Sequence, residues 1–198
     1  MGKLKQIEIN PQTKVKQEKL KVFLDLDSTL IFSEDKDNYD EKKYLTKQSL
    51  FKYKDMDKEY RVFERPHLDK FLDYVFENFD VSVWTAASKD YALFIIKYML
   101  LKKPGRKLDY ILFSYHCDYS DKYKKGTKDL EMLWDFYKIK DYNKDNVKII
   151  DDYDEVYHTQ PNNCIRIKPF EFRKKYSEYD NELIKIMEKL EKWKKSKK

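Results

Sequence analysis

Glycine and proline are scarce in this chain, at 3 and 5 of 198 residues. That leaves little room for flexible linkers or loop-rich repeats. The two cysteines, Cys117 and Cys164, stand alone without CxxC or CxxH spacing, so neither a zinc site nor a disulfide framework is indicated. No run of 18 apolar residues occurs, and the N-terminal MGKLKQIEIN has no hydrophobic stretch of signal-peptide type. Gln6 also stands where a myristoylation signal after Met1-Gly2 requires Ser or Thr. The expectation is an intracellular protein, nuclear or cytoplasmic, neither secreted nor bound to a membrane. There is no concentrated block of charge over most of the length. The 42 basic and 36 acidic side chains are interspersed and sum to +6. Direct nucleic-acid binding is therefore not expected, because such proteins gather their basic residues into a patch. The one dense run, Lys192 to Lys198, reads either as a solvated terminus or as a basic arm for an acidic partner.

What the chain does contain is aromatic rings, with 17 Tyr and 12 Phe, so the core is expected to rest on rings as much as on Leu and Ile. The length suits one domain. Residues 1–19 are polar and unpatterned and read as a leader. Leu20 to Leu24 is a mostly apolar run that stops at Asp25, as a central strand buried on both faces would. Val81 to Trp84 stops likewise at Thr85, and Val147 to Ile150 at Asp151. Between them the period turns helical. Leu68, Phe71, Leu72, Val75, Phe76 and Phe79 form one stripe, begun by Pro66. Ser88 is placed to cap a second helix that runs to about Leu101, where Pro104-Gly105 ends it. Shorter and later helices are expected over Asp129 to Tyr137 and from about Glu178 to Trp193, the latter with Ile184, Met187 and Leu190 on one side. Such alternation predicts an α/β fold with a mainly parallel sheet, whose ligand site lies at the carboxyl ends of the strands. Asp25, Thr85 and Asp151 then share one edge. The polar, Tyr-rich segment 35–63 breaks the alternation and reads as an inserted hairpin or cap.

Asp25 and Asp27, two carboxylates at i and i+2 just past a buried strand, crowd negative charge that a cation would relieve. Mg²⁺ suits such hard oxygen ligands. One carboxylate is then a candidate nucleophile towards phosphorus, and the other a proton carrier. Seen alone, the pair serves equally well as loop aspartates capping a turn. The same holds of Thr85 as a strand end, of Lys128 as a surface lysine and of Asp151-Asp152 as a cap.

Five ordered stretches carry a resemblance. Phe23 to Leu30, FLDLDSTL, resembles the DxDx(T/V) motif of haloacid-dehalogenase-type (HAD) phosphatases. More narrowly, the chain resembles phosphatases of the RNA polymerase II C-terminal domain (CTD), both the small CTD phosphatases and the FCP1-type enzymes. Arg65 to Leu72 is similar to the RPxxxxFL segment, Trp84 to Ala92 to TAxxxxYA, Thr127 to Leu130 to the KDL motif, and Ile149 to Asp152 to the acidic fourth motif. The resemblance covers about 20–172, with 173–198 left as a C-terminal helix and basic tail.

It implies a Rossmann-like HAD fold with a small β-rich insert after the first strand. Asp25 would be the nucleophile that forms an aspartyl-phosphate, and Asp27 the acid and base. Thr85 would donate to a phosphoryl oxygen, and Lys128 would offset charge. Mg²⁺ would be held by Asp25, the Asp27 carbonyl and the acids Asp151 and Asp152. Ser28, Thr29 and His116 are candidate substrate contacts. His116 enters because Phe113 to Cys117 departs from the Arg-Glu that family members often carry there; a missing Arg removes a bidentate ligand. The Asp-Asp of the fourth motif is of FCP1 type, and the residues after 172 are too few for a BRCT-like module.

The expected partner is a phosphorylated protein or peptide, such as the polymerase CTD, dephosphorylated at serine or threonine. Tyr39, Tyr44, Phe51, Tyr53 and Tyr60 of the insert either form a pocket for that peptide or pack the insert onto the body. A catalytically silent binding module, and a phosphatase for a small metabolite or a nucleic-acid end, are the competing readings. An insert too small for a large cap favours a macromolecular substrate.

Overall fold

In the computed structural model, residues 19–124 and 126–197 are described. Apart from Lys19, the polar leader lies outside the described residues, as does Lys198 of the tail. Strands β1 (Lys21–Leu24), β5 (Asp80–Trp84), β6 (Ile111–Leu112), β7 (Val147–Asp151) and β8 (Cys164–Arg166) form one sheet in the order β6-β5-β1-β7-β8. Every neighbouring pair is parallel. The fold is the expected α/β arrangement.

The sheet buries both faces, which is why its strands read as near-continuous apolar runs. Strand alternation sends Val22, Leu24, Val81 and Val83 to one side. There they meet helix α2 (Leu68–Asn78), α3 (Lys89–Ile95) with its π-helical continuation Ile96–Leu100, and α7 (Glu182–Ser196). Phe23, Trp84, Val147 and Ile149 face the other core. That core is closed by α4 (Ser114–Lys124), α5 (Glu131–Asp135) and α6 (Asp154–Thr159) through Cys117, Met132, Leu133 and Val156.

The insert is more than a hairpin. Strands β2 (Ile31–Asp35), β3 (Tyr53–Met56) and β4 (Tyr60–Glu64) make an antiparallel sheet in the order β2-β4-β3, with α1 (Glu41–Gln48) between β2 and β3. It begins at Ile31 and not at residue 35, because Ile31 pairs with Glu64. Most of its aromatics pack the insert onto the body. Phe63 stacks on Phe172 at 3.9 Å, and Tyr39, Tyr44 and Phe51 meet the Phe172 ring edge to face. Tyr53 lies against Phe63, with the Arg61 guanidinium over its ring. Tyr60 alone of the five turns to the other side, against Tyr91.

Helix α4 has no counterpart in the sequence reading. Its buried face is Cys117 and Ser120, too polar and short to stand out as an apolar stripe. In α7 the buried positions are Leu183, Ile186, Leu190 and Trp193, with Ile184 only half-buried, so the stripe is turned by about one residue from the expected one.

Candidate active site

Strands β1, β5 and β7 are hydrogen-bonded neighbours in parallel register, so their last residues converge on one edge. Asp25 follows β1 and its amide bonds the Ile150 carbonyl at 3.1 Å. Its side chain is buried. Asp151 ends β7, is fully buried, and precedes Asp152. Carboxylate oxygens of Asp25, Asp151 and Asp152 lie within 4.8 Å of one another.

Lys128 supplies the cation between them. Its Nζ donates to Asp25 Oδ1 at 2.6 Å and to Asp151 Oδ2 at 2.7 Å. Desolvation works against this buried ammonium, but Asp25 and Asp151 outweigh it and hold its pKa above the ordinary lysine value. Lys128 adopts a left-handed φ of 52°. The turn that carries it is held from three sides. Gln160 Nε2 donates to the Lys128 carbonyl at 2.7 Å, Gln160 Oε1 accepts from the Leu130 amide, and Ser120 Oγ accepts from the Asp129 amide at 2.8 Å. Ser120 also bonds the Gly126 carbonyl.

One ammonium does not balance three carboxylates. Burial and then the Asp25 charge push Asp151 up to about 7, and burial and Asp25 also raise Asp152. Without a further cation these carboxylates repel one another at close range. These are hard, mutually repelling oxygens, those of Asp25 and Asp151 buried and that of Asp152 partly so, and the set fits a small divalent cation. Asp151 has both oxygens engaged, one by Lys128 and one by the Tyr153 amide at 2.9 Å. Asp152 Oδ1 accepts from Thr29 at 3.1 Å.

Asp27 stands beside this cluster and turns its carboxylate to the insert side. The Tyr91 hydroxyl from α3 donates to its Oδ1 and in turn shares a hydrogen bond with Ser33 of β2. Desolvation raises Asp27 to about 6; the Tyr91 bond opposes the rise and Asp25 adds to it. Asp27, Ser33, Met56, Tyr60, Ser88 and Tyr91 line a cavity of about 580 Å³.

Thr85 is buried at the end of β5. Its amide bonds Leu112, and its Oγ1 accepts from the Ala87 amide at 3.1 Å, which leaves the hydroxyl proton available to a ligand. Thr29 is fully buried and holds Asp152, so its place is behind a candidate metal ligand and not in the cavity. Ser28 turns the backbone at φ 59° and its carbonyl accepts from the Phe170 amide at 2.7 Å. His116 Nδ1 accepts from the Phe113 amide at 2.9 Å, and its ring lies on Tyr115 and near Tyr137. The structure thus draws Asp25, Lys128, Asp151 and Asp152 together, sets Asp27 beside them, and ties His116 to its own helix start.

Sequence reasoning missed four contributors. Tyr91 counted only as an apolar helix position, although it sits in the TAxxxxYA stretch. Arg65 heads the RPxxxxFL stretch but had no role; it is fully buried, pairs with Asp180 through two bonds of 2.9 Å and donates to the Ser28, Thr29 and Lys168 carbonyls. It fixes the backbone just past Asp27. Gln160 and Ser120, which hold the Lys128 turn, had no signal at all.

The chain is similar to known proteins. The CTD phosphatase-like protein 355R of Invertebrate iridescent virus 6 is 46% identical over 170 residues, covering 83% of this chain and 93% of that protein. Its counterpart in Invertebrate iridescent virus 3 is also 46% identical, over 180 residues, covering 87% and 96%. Among solved structures, a single-substitution form of fission yeast Fcp1, an RNA polymerase II CTD phosphatase, bound to beryllium fluoride, shares the fold at a TM-score of 0.56 and 19% identity. That match covers 89% of this chain, which spans only 52% of Fcp1. The profile of the NLI interacting factor-like phosphatases matches residues 20–198, and the chain belongs to that family.

Proposed function

We propose that the protein is a Mg²⁺-dependent phosphoserine/phosphothreonine protein phosphatase that works through an aspartyl-phosphate on Asp25. The observation that carries this reading is the Lys128 ammonium held between Asp25 and Asp151 with Asp152 alongside, at the strand edge where the fold places ligands. The names of the viral relatives support the phosphatase part of this reading. Asp25, Asp152 and the Asp27 carbonyl would hold Mg²⁺, with Asp151 supporting them through Lys128. The ion would supply positive charge to the transferring phosphoryl group.

Asp25 keeps one oxygen clear of Lys128, and that oxygen attacks phosphorus as the bond to the leaving serine or threonine oxygen breaks. Asp27, raised to about 6, gives its proton to the departing serine or threonine oxygen. It then takes a proton from the water that cleaves the acyl phosphate and regenerates Asp25. Thr85 donates to a phosphoryl oxygen while Lys128 neutralises developing charge. The cavity beside Asp27 leaves space for the leaving chain.

The test uses an aryl phosphate, a phosphoserine peptide and a sugar phosphate side by side. Wild type should turn over the first two with Mg²⁺ and lose both activities in EDTA. Asp25→Asn should lower kcat by at least about 10³-fold, as loss of a nucleophile does. Equal rates for wild type and Asp25→Asn, or full activity without divalent metal, would refute the mechanism. Preference for the sugar phosphate would refute the substrate class. Mg²⁺ should also raise the Tm of wild type more than that of Asp152→Asn, a readout independent of turnover.

A further inference from the structure

The cavity beside Asp27 lies between the insert and the start of α3. Its insert wall comes from Met56 at the end of β3, Glu59 in the turn that follows and Tyr60 at the start of β4. Asp90 and Tyr91 of α3 form the other wall. Tyr60 meets Tyr91 edge to face at 5.4 Å, and these rings with the Met56 side chain supply the apolar surface. The turn that carries Glu59 is fixed by its backbone. The Glu59 amide donates to the Met56 carbonyl at 3.1 Å, and its carbonyl accepts from the Lys36 amide at 2.9 Å. At about 580 Å³ the cavity is of a size that takes a ligand.

The charge of this cavity is of one sign. Asp27, Glu59 and Asp90 line it, and no Lys, Arg or His does. Other acids of the insert are matched by bases: Glu34 pairs with Arg173, Asp55 with Lys36 and Arg61, and Glu64 with Lys102. Among the described residues, Glu59 and Asp90 have no such partner. Lys36 spends its ammonium on Asp55 and on the Asp57 carbonyl. Lys58 and Lys89, beside the two acids in the chain, are exposed and lie outside the lining. An acidic residue of a substrate would meet like charge from both walls of this cavity. A lysine or arginine would meet opposite charge, with its stem along Met56 and the Tyr60 ring and its head hydrated between Glu59 and Asp90.

We infer that Glu59 and Asp90 are specificity determinants that seat a lysine or arginine of the phosphopeptide substrate, close in sequence to the phosphoserine, in the cavity beside Asp27. The inference rests on the phosphopeptide reading above, in which the leaving chain departs on the Asp27 side. Its test uses phosphoserine peptides that carry lysine, glutamate or proline at one position, within about three residues on either side of the phosphoserine. At one such position wild type should prefer lysine to glutamate about tenfold in kcat/KM at low salt, and added salt should shrink the preference. Glu59→Gln/Asp90→Asn should bring that ratio close to one. Glu59→Lys/Asp90→Lys should invert it, which a merely structural role would not do. The single variants Glu59→Lys and Asp90→Lys, both at exposed positions, should each move the ratio part of the way and serve if a double variant does not fold. No preference at any position, or a preference that these variants keep, overturns the inference. Proline preferred over lysine at the responsive position overturns it in favour of an apolar subsite. Fluorescence anisotropy of the labelled phosphopeptides on Asp25→Asn should give the same ranking and decides the point even if no peptide is hydrolysed. Failure of wild type to turn over an aryl phosphate would count against the phosphatase reading and not against the subsite.

Discussion

Tyr91 joins the insert to Asp27 through one hydroxyl, which donates to the Asp27 carboxylate and meets Ser33 of β2. A hydrogen bond to a carboxylate favours its charged form, so this bond restrains the rise that burial imposes on Asp27. Tyr91→Phe should therefore raise the Asp27 pKa further. The protonated acid then persists to higher pH, and the alkaline limb of the kcat/KM profile should move upward. A limb that stays in place or moves down would show that Tyr91 does not act on Asp27. At the same scale, Asp25, Asp27, Thr85, Lys128, Asp151 and Asp152 were legible as candidates because their residue types carry chemistry and each follows a strand or heads a motif. Thr29 was legible only as a motif letter. Its hydrogen bond to Asp152 spans more than a hundred residues of chain, and no local pattern encodes such a contact.

The turn 126–129 shows how elements place a functional residue. Gly126 lies against α6 so closely that a Cβ would come within 2.5 Å of Thr159 Oγ1 and 2.6 Å of its Cγ2. Gly126→Ala should push this turn outward, at a cost of about 1–3 kcal/mol from overpacking. Because Lys128 rides on the same turn, kcat should fall together with Tm. Adding Thr159→Ala removes both close atoms and should restore most of each; a double variant no better than the single would disprove the clash. Element by element, β1, β5, β7 and α2 were readable from hydrophobic period, since each buries an unbroken run or stripe. Helices α4 and α6 were not. Their few buried positions, Cys117, Ser120 and Val156, make too weak a stripe, and packing against Trp84, Leu130 and the sheet defines them.

At the scale of the molecule, α7 closes the core across α2. Trp193 stacks parallel to Phe79 at 6.0 Å, while Leu183, Ile186 and Leu190 are fully buried. Trp193→Ala should cost about 3 kcal/mol in urea unfolding, as for large core truncations. Activity per folded molecule should be unchanged, because the site lies at the strand ends and not on this face. A loss of under about 0.5 kcal/mol, within the range of surface substitutions, would place Trp193 outside the core. Among the described residues no helix is long and apolar enough to cross a membrane.

The primary structure by itself determined the α/β layering and the residues that end the central strands, because burial on both faces of a parallel sheet writes itself as short apolar runs. It also marked Asp25 and Asp27 as candidates for a cation site, whereas the carboxylates that cluster are Asp25, Asp151 and Asp152. Only the tertiary structure decided that Lys128 would lie between Asp25 and Asp151, that Arg65 would brace the turn past Asp27, and that Tyr91 would hold Asp27 from the insert side. Those are side-chain contacts between residues far apart in the chain. They depend on the register of strands and the reach of individual side chains, which no periodicity carries.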